Sequence, residues 1–541
     1  MKNSRAFYVD GKKIPIGDPF ILRHNGKYFL YPSTEYPNKG IRCFSSTDLI
    51  NFKFEGIVCD DPVTLNAYAP EVIYAYNKFY LCTSPGGNGH YIFVSDSPLG
   101  PFKRITENIQ NMIDGSFFLD ENHHLRFYRA NHNGISMVFL DENGQPSKRE
   151  NIHAPLYGWT EGPFMIYKDG FYYLTYCGNH LESKGYRIHY ATSRSLDEDF
   201  RPSNQPLLIS TKDEYCNLGH SSTVLAPDLD GYYLVYHHLF PLEVTEKGTR
   251  YTRNLCFDRL HFNGRMMSTT PTNFEIDDPK MPTLYEDLSL TQNQFDLNYP
   301  LVLSKIGTDV DFTSEFNFKQ NGVILILSYQ DNQNYIGIEC ENNKVTLKEI
   351  VNGNEKIIKE KELNLDFNYF HTVRVINGIK LEILVDNVPV LTFNKVQGGK
   401  IGYLTNTIEG IYFTAFSNYA NGSSDLDYKL PLPSILDCKH DLNQGEFILE
   451  KDDIYSKILN FNESAKFNVI SQKKANYLLS CLINSTDEAR VEISTKNETK
   501  VVEITKTSTE YEFITKSLTF IDIDKEDEIK IKIIKGNLKY K

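Results

Sequence analysis

Three acids in this chain of 541 residues share a setting that could do acid–base chemistry. Asp18 stands in Gly17-Asp18-Pro19-Phe20-Ile21, Asp114 in Ile113-Asp114-Gly115-Ser116-Phe117, and Glu161 in Trp159-Thr160-Glu161-Gly162-Pro163-Phe164. Each carboxyl is followed by Gly or Pro and then by an apolar, strand-like run. Glu71 holds a matching place in Ala69-Pro70-Glu71-Val72-Ile73, and His220 in Gly219-His220-Ser221-Ser222-Thr223. Burial beside an aromatic ring disfavours the charged form of a carboxyl and raises its pKa. Glu161, two residues after Trp159, the single tryptophan, has that prospect, and a general acid needs it near neutral pH. Taken alone, each acid is a turn or strand-start residue. As a set in matching frames they predict a carboxylate cluster, which is costly unless it binds a cation or moves protons.

The frames come from a repeat. An aromatic strand signal, Lys27-Tyr28-Phe29-Leu30-Tyr31, recurs at 78–82, 124–128, 171–175 and 232–236. Most copies follow a turn such as Asn25-Gly26 or Asp169-Gly170, and most precede a second strand signal, as at 41–45 and 187–192. The spacing is roughly 45 to 60 residues, the period of a β-propeller whose blades hold a few short strands each. Five copies predict five blades in a domain spanning residues 1–287. Propellers expose the ends of their innermost strands at a central channel, so the repeat would turn the acids toward one axis.

Composition agrees with an all-β chain: aromatics make up 13% of residues, Gly and Pro punctuate short apolar runs, and no heptad pattern appears. The length allows two to four domains. A net charge of −13 argues against a nucleic-acid partner and suits a neutral or polar substrate. The nine cysteines contain no C-x-x-C pair, which argues against a disulfide framework or a zinc site and suits a reducing cytoplasm. No apolar run is long enough to span a membrane, and the first residues carry no signal-peptide pattern, although a secreted chain trimmed of its leader would look the same.

At this point the residues resemble glycoside hydrolase family 43, inverting enzymes built on a five-bladed propeller, over roughly residues 14 to 270. The resemblance rests on Asp18-Pro19, Ala69-Pro70-Glu71-Val72, Ile113-Asp114-Gly115-Ser116, Thr160-Glu161-Gly162-Pro163, Gly219-His220-Ser221-Ser222 and the Arg253 strand. It implies that Asp18 is the general base, Glu161 the general acid, and Asp114 the carboxylate that orients the acid and tunes its pKa. It implies that Arg253 reaches a sugar hydroxyl and that His220 ties to a calcium ion in the channel or to its water; no cofactor is required otherwise. Without it, Arg253 reads as a solvated strand residue and His220 as a hydrogen-bonded core histidine. Tyr68 stands where the family often has Trp, so it is either a stacking surface for a sugar or a core residue. Trp159 and Glu71 complete the expected substrate-binding set.

The chemistry stands beside the name. Inverting hydrolysis needs a carboxylic acid and a carboxylate about 6.5–9.5 Å apart, with a water between carboxylate and sugar. The expected substrate is an oligosaccharide carrying α-L-arabinofuranosyl or β-D-xylosyl units, with galactosidase and endo-arabinanase action also open. Two alternatives remain: a retaining fructosidase-like propeller and a catalytically inactive glycan-binding one. After the propeller, residues 288–425 look like a concanavalin-type sandwich, which in some family members walls one side of the catalytic pocket. Residues 426–541, reached through a linker at Leu430-Pro431-Leu432-Pro433, weakly resemble a carbohydrate-binding jelly roll.

Overall fold

The computed structural model describes every residue except 36, 111, 132–133, 148–149, 152–159, 211–214, 216, 246–247 and 508–511. Among the described residues the chain is all-β, with three short 3-10 turns and no α-helix. It divides into two compact units: one of Ser4–Phe257 with Pro279–Gly422, the other of Met1–Asn3, Asp258–Asp278 and Ser423–Lys541.

The larger unit begins with sheets of consecutive antiparallel strands. The first runs Phe20–His24, Lys27–Tyr31, Ile41–Ser46, Lys53–Cys59, in chain order across the sheet. Sheets led by Ala67–Ala75, Gly115–Leu119, Thr160–Lys168 and Leu218–Leu225 follow the same meander. Each aromatic repeat predicted from the sequence is the second strand of a sheet. The hairpins are tight because the turn residues accept left-handed backbone: Asn25 and Gly26 have φ of 48° and 69°, and Asp169 and Gly170 have φ of 51° and 82°. The leading strands lie side by side in sequence order, and the fifth lies beside the first, closing a ring. Phe20 and Phe164, from the first and fourth leading strands, bring their rings to 6.2 Å within it.

Residues 284–417 form a six-stranded and a seven-stranded sheet that share one apolar core, in which Phe316 meets Tyr403 edge-on at 5.6 Å. Leu284–Asp287 already pairs with Ile411–Ser417, so this region starts four residues ahead of its expected boundary. Its contacts with the ring fall at the hairpin ends of the leading strands. His24 stacks near Phe370 at 4.3 Å, Phe413 N donates to Asn25 Oδ1, and Arg374 donates to the Tyr232 hydroxyl. The acids stand at the opposite ends of those strands. Residues 284–417 therefore meet the ring on its hairpin side, and these contacts do not form the expected wall beside the acids.

The smaller unit contains two five-stranded sheets over a core that includes Phe467, Val491, Ile529, Ile483 and Leu538. The expected linker is part of that core. Leu430–Pro431 pairs in parallel with Ser464–Ile470, Leu432 N donates to Ile470 O at 2.9 Å, and Leu430 and Leu432 are buried. Proline lacks a donor but keeps its carbonyl, so Leu-Pro alternation still suits a sheet edge.

Candidate active site

The head of each leading strand turns through left-handed backbone. Asp18, Ala69, Asp114, Gly162 and His220 have φ of 44°, 42°, 58°, 57° and 43°. Such φ values cost a non-glycine residue about 1–2 kcal/mol and gather at functional sites. The twist puts a register shift into the second, fourth and fifth sheets and aims the head side chain across the ring. The predicted frames are thus close but not identical. Asp18, Asp114 and His220 are heads, Glu161 lies one residue before a head, and Glu71 lies two residues after one.

Asp18, Asp114, Glu161, His220 and Arg253 are each less than a tenth exposed. His220 Nδ1 lies 3.4 Å from Asp18 Oδ1 and 3.4 Å from Asp114 Oδ2. Burial alone would push this imidazole down, but the carboxylates of Asp114, Asp18 and Glu161 override it and raise its pKa to about 9. His220 is therefore an imidazolium near neutral pH, gathering all three acids in its field. Calcium takes oxygen donors, so of the two expected ties the one through the ion's water is the one an imidazole nitrogen suits.

Arg253 Nη1 donates to both oxygens of Asp18 at 2.7 Å, and its Nε donates to Glu35 at 2.9 Å. Ser33 Oγ donates to Asp18 Oδ2 at 2.6 Å. Burial works to raise the Asp18 carboxyl, but Arg253, His220, His237 and Ser33 outweigh it and hold it well below the usual carboxylate range. Arg253, expected on a sugar hydroxyl, is thus first of all the clamp on Asp18. The clamp takes up the space beside Gly17, where a Cβ would stand 1.9 Å from Arg253 Cζ. Asp114 Oδ2 accepts the N–H of Gly162 at 3.0 Å and so fixes the backbone next to Glu161.

Glu71 behaves differently. It lines a cavity of about 220 Å³ inside the ring with Phe20, Phe117, Phe164 and, from the sandwich, Glu315. Its Oε2 accepts the N–H of Phe117 at 3.2 Å. Burial raises its pKa to about 8, against the pull of the Phe117 N–H, Ser116 and His220. The expected substrate contact is a protonated carboxyl down the channel. Tyr68 is half-buried at the head of the second sheet, and Trp159 lies outside the described residues.

Sequence reasoning missed the residues that hold the heads. Ser33 Oγ accepts the N–H of Ala69 at 2.8 Å, Ser84 Oγ that of Asp114 at 3.2 Å, and His237 Nδ1 that of Asp18 at 3.2 Å. In each case a side chain at the end of one sheet's second strand caps the head of the next sheet, and His237 closes the circle. Burial, then Arg253, pushes His237 well below the usual histidine range, so it accepts as a neutral ring although it lies 3.6 Å from Asp18 Oδ1. The signal was present: Ser33 and Ser84 fall at the same offset from the aromatic repeats, six residues after Lys27 and Lys78.

Residues 14–266 match the sequence profile of glycosyl hydrolases family 43. The match covers just under half of the chain, and over those residues the sequence is that of a family-43 module. A β-D-galactofuranosidase of Aspergillus niger is 26% identical over 46% of this chain and 79% of its own length. A xylan 1,3-β-xylosidase of a Vibrio species is 26% identical over 45% of this chain and 48% of its own, so the chain spans about half of that relative. A crystal structure of a thermostable family-43 glycoside hydrolase aligns with 49% of this chain and 96% of that one, at 26% identity and a TM-score of 0.42.

Proposed function

We propose that the ring of five sheets is a five-bladed propeller carrying an inverting glycosidase centre that removes α-L-arabinofuranosyl or β-D-xylosyl units from oligosaccharides. We take residues 284–417 as a concanavalin-like sandwich and the sheets after residue 430 as a jelly roll. The observation that carries the reading is His220 Nδ1 lying 3.4 Å from both Asp18 and Asp114, with Asp18 clamped by Arg253. Asp18, kept ionised, accepts a proton from the attacking water. Glu161 protonates the leaving oxygen. Asp114 holds Glu161 in place through the Gly162 N–H, and its negative charge opposes ionisation of that acid. A base held well below neutral suits an oxocarbenium-like transition state, which asks the water for little proton transfer early on. Tyr68 and Trp159 supply ring surface for the sugar, and the outer edge of Arg253 a donor to its hydroxyl.

The sugar is read from two sides. The relatives are named for galactofuranosides and xylosides, and another relative, from Butyrivibrio fibrisolvens at 25% identity, is named xylosidase/arabinosidase. A furanoside and a pyranosyl pentoside place similar hydroxyls around the anomeric carbon, and the arabinofuranoside is our first expectation. The reading needs no cofactor, and turnover is expected to survive dialysis against a calcium chelator. The test is hydrolysis of a panel of para-nitrophenyl pentosides and hexosides by wild type and Glu161→Ala, with proton NMR of the first anomer released. Turnover of an arabinoside or xyloside with inversion, lost in Glu161→Ala, is expected. Equal rates in both proteins, or a retained anomer, would overturn the reading.

A further inference from the structure

A second group of buried titratable residues lies in the smaller unit. His261 sits on the strand Gly248–Asn263, Asp425 in the 3-10 turn Ser423–Asp427, and His440 at the end of the 3-10 turn Cys438–His440. One donor atom from each lies within 4.8 Å of the others. His261 Nδ1 stands 2.9 Å from Asp425 Oδ2, and the His261 and His440 rings meet edge-on at 4.5 Å. Both histidines are buried, and Asp425 is 12% exposed at its side chain.

The surroundings are those of a prepared site. Arg259 Nε holds Asp425 Oδ1 at 2.7 Å, leaving Oδ2 for the cluster. Asp437 orients the ring of His440, donating its N–H to Nδ1 at 3.3 Å. The carboxylate of Asp437 is 1% exposed, and its Oδ2 has no hydrogen-bond partner among the described residues. Leaving such an oxygen unsatisfied costs about 1–3 kcal/mol or more for a charged group.

We propose that His261, Asp425 and His440 bind one divalent transition-metal ion of the zinc class, which staples the Asp258–Asp278 segment to the two turns that lead into the last sheets. Imidazole nitrogen and carboxylate oxygen are the donors zinc takes at about 2.0–2.2 Å, and two donors about 3 Å apart, as His261 and Asp425 are, suit one ion. Small side-chain rotations bring the third donor in. Outer partners such as Arg259 and Asp437 are the usual means of fixing ligand orientation. The absence of C-x-x-C pairs bears only on sites built from cysteine.

The test uses the full chain, stripped with chelator, desalted and titrated with Zn²⁺ by calorimetry. One equivalent is expected in wild type and in His220→Gln, which alters only the channel. Stoichiometric binding should be lost in His261→Ala and His440→Ala, and a melting transition of the loaded wild type should rise with Zn²⁺ concentration as mass action requires. X-ray absorption of the zinc-loaded wild type, which needs no variant to fold, should show two imidazoles on the ion. Less than one equivalent in wild type, fewer than two imidazoles, or binding kept in both histidine variants would overturn the proposal.

Discussion

Asp18 and Glu71 belong to neighbouring leading strands, yet their surroundings give the two carboxyls opposite charge. Both are buried. Asp18 meets a guanidinium, an imidazolium and a hydroxyl, and stays ionised. Glu71, two residues past the head of its own sheet and inside the apolar channel, has one amide, one hydroxyl and the more distant His220 to set against burial, and keeps its proton to about pH 8. Burial is common to both; what differs is the number of positive and donating groups that reach each carboxylate. A repeat can therefore bring acids to one axis without giving them one job.

The sharpest way to break this comparison is to neutralise each acid in turn. Asp18→Asn should lower kcat/KM by about 10³-fold on the glycoside that wild type cleaves, within the range of a lost acid–base group. Glu71→Gln should leave it within about tenfold, since its neutral carboxyl and the amide differ little. Similar losses in both variants would erase the distinction.

The next effect is on stability. His220 gains its proton partners on folding, and its folded pKa of about 9 lies above the ordinary 6.5. Its contribution is fully present below pH 6.5 and is lost as pH rises through about 9. Denaturant unfolding of wild type should lose about 3 kcal/mol across that window relative to His220→Gln. A parallel pH dependence in the two proteins would refute the imidazolium.

Glu71 has the same sign at lower pH, because its folded pKa of about 8 also lies above its ordinary 4.5. Between about pH 5 and about pH 6.5 wild type should lose about 2 kcal/mol that Glu71→Gln does not lose. Equal slopes would mean that Glu71 ionises in the folded protein. The smallest expected effect is at Gly17. A Cβ there meets the Arg253 guanidinium, which is the far end of a flexible side chain and can yield. Gly17→Ala should cost turnover about tenfold through a loosened Asp18, with the acid limb of the pH–rate profile moved upward. An unmoved acid limb would show that Arg253 does not set the Asp18 charge.

The frame of the larger unit was legible because its signals are local. Alternating aromatic runs and Asn-Gly or Asp-Gly turns each act within a few residues, and five copies make their period visible. The acids were legible for the same reason, being fixed to the repeat. The partners that set their charge were not. Arg253 reaches Asp18 across 235 positions and His237 across 219, and nothing near either residue announces the pairing. Offsets did mislead by one or two residues at Glu161 and Glu71, because the left-handed head shifts the register there. The linker expected at Leu430-Pro431-Leu432-Pro433 turned out differently since prolines mark a chain that cannot donate, which a sheet edge tolerates as well as a loop does.

The left-handed heads also bear on how such a ring can change over evolutionary time. A backbone with φ near 45° admits Gly, Asn, Asp and His with least strain, and here one Ala, while it penalises branched side chains. The short list that geometry permits is nearly the short list that proton transfer and cation binding use. Substitution at these five positions is therefore expected to favour Gly, Asn, Asp and His over branched residues, which keeps three of them within reach of a group that can hold or move a proton.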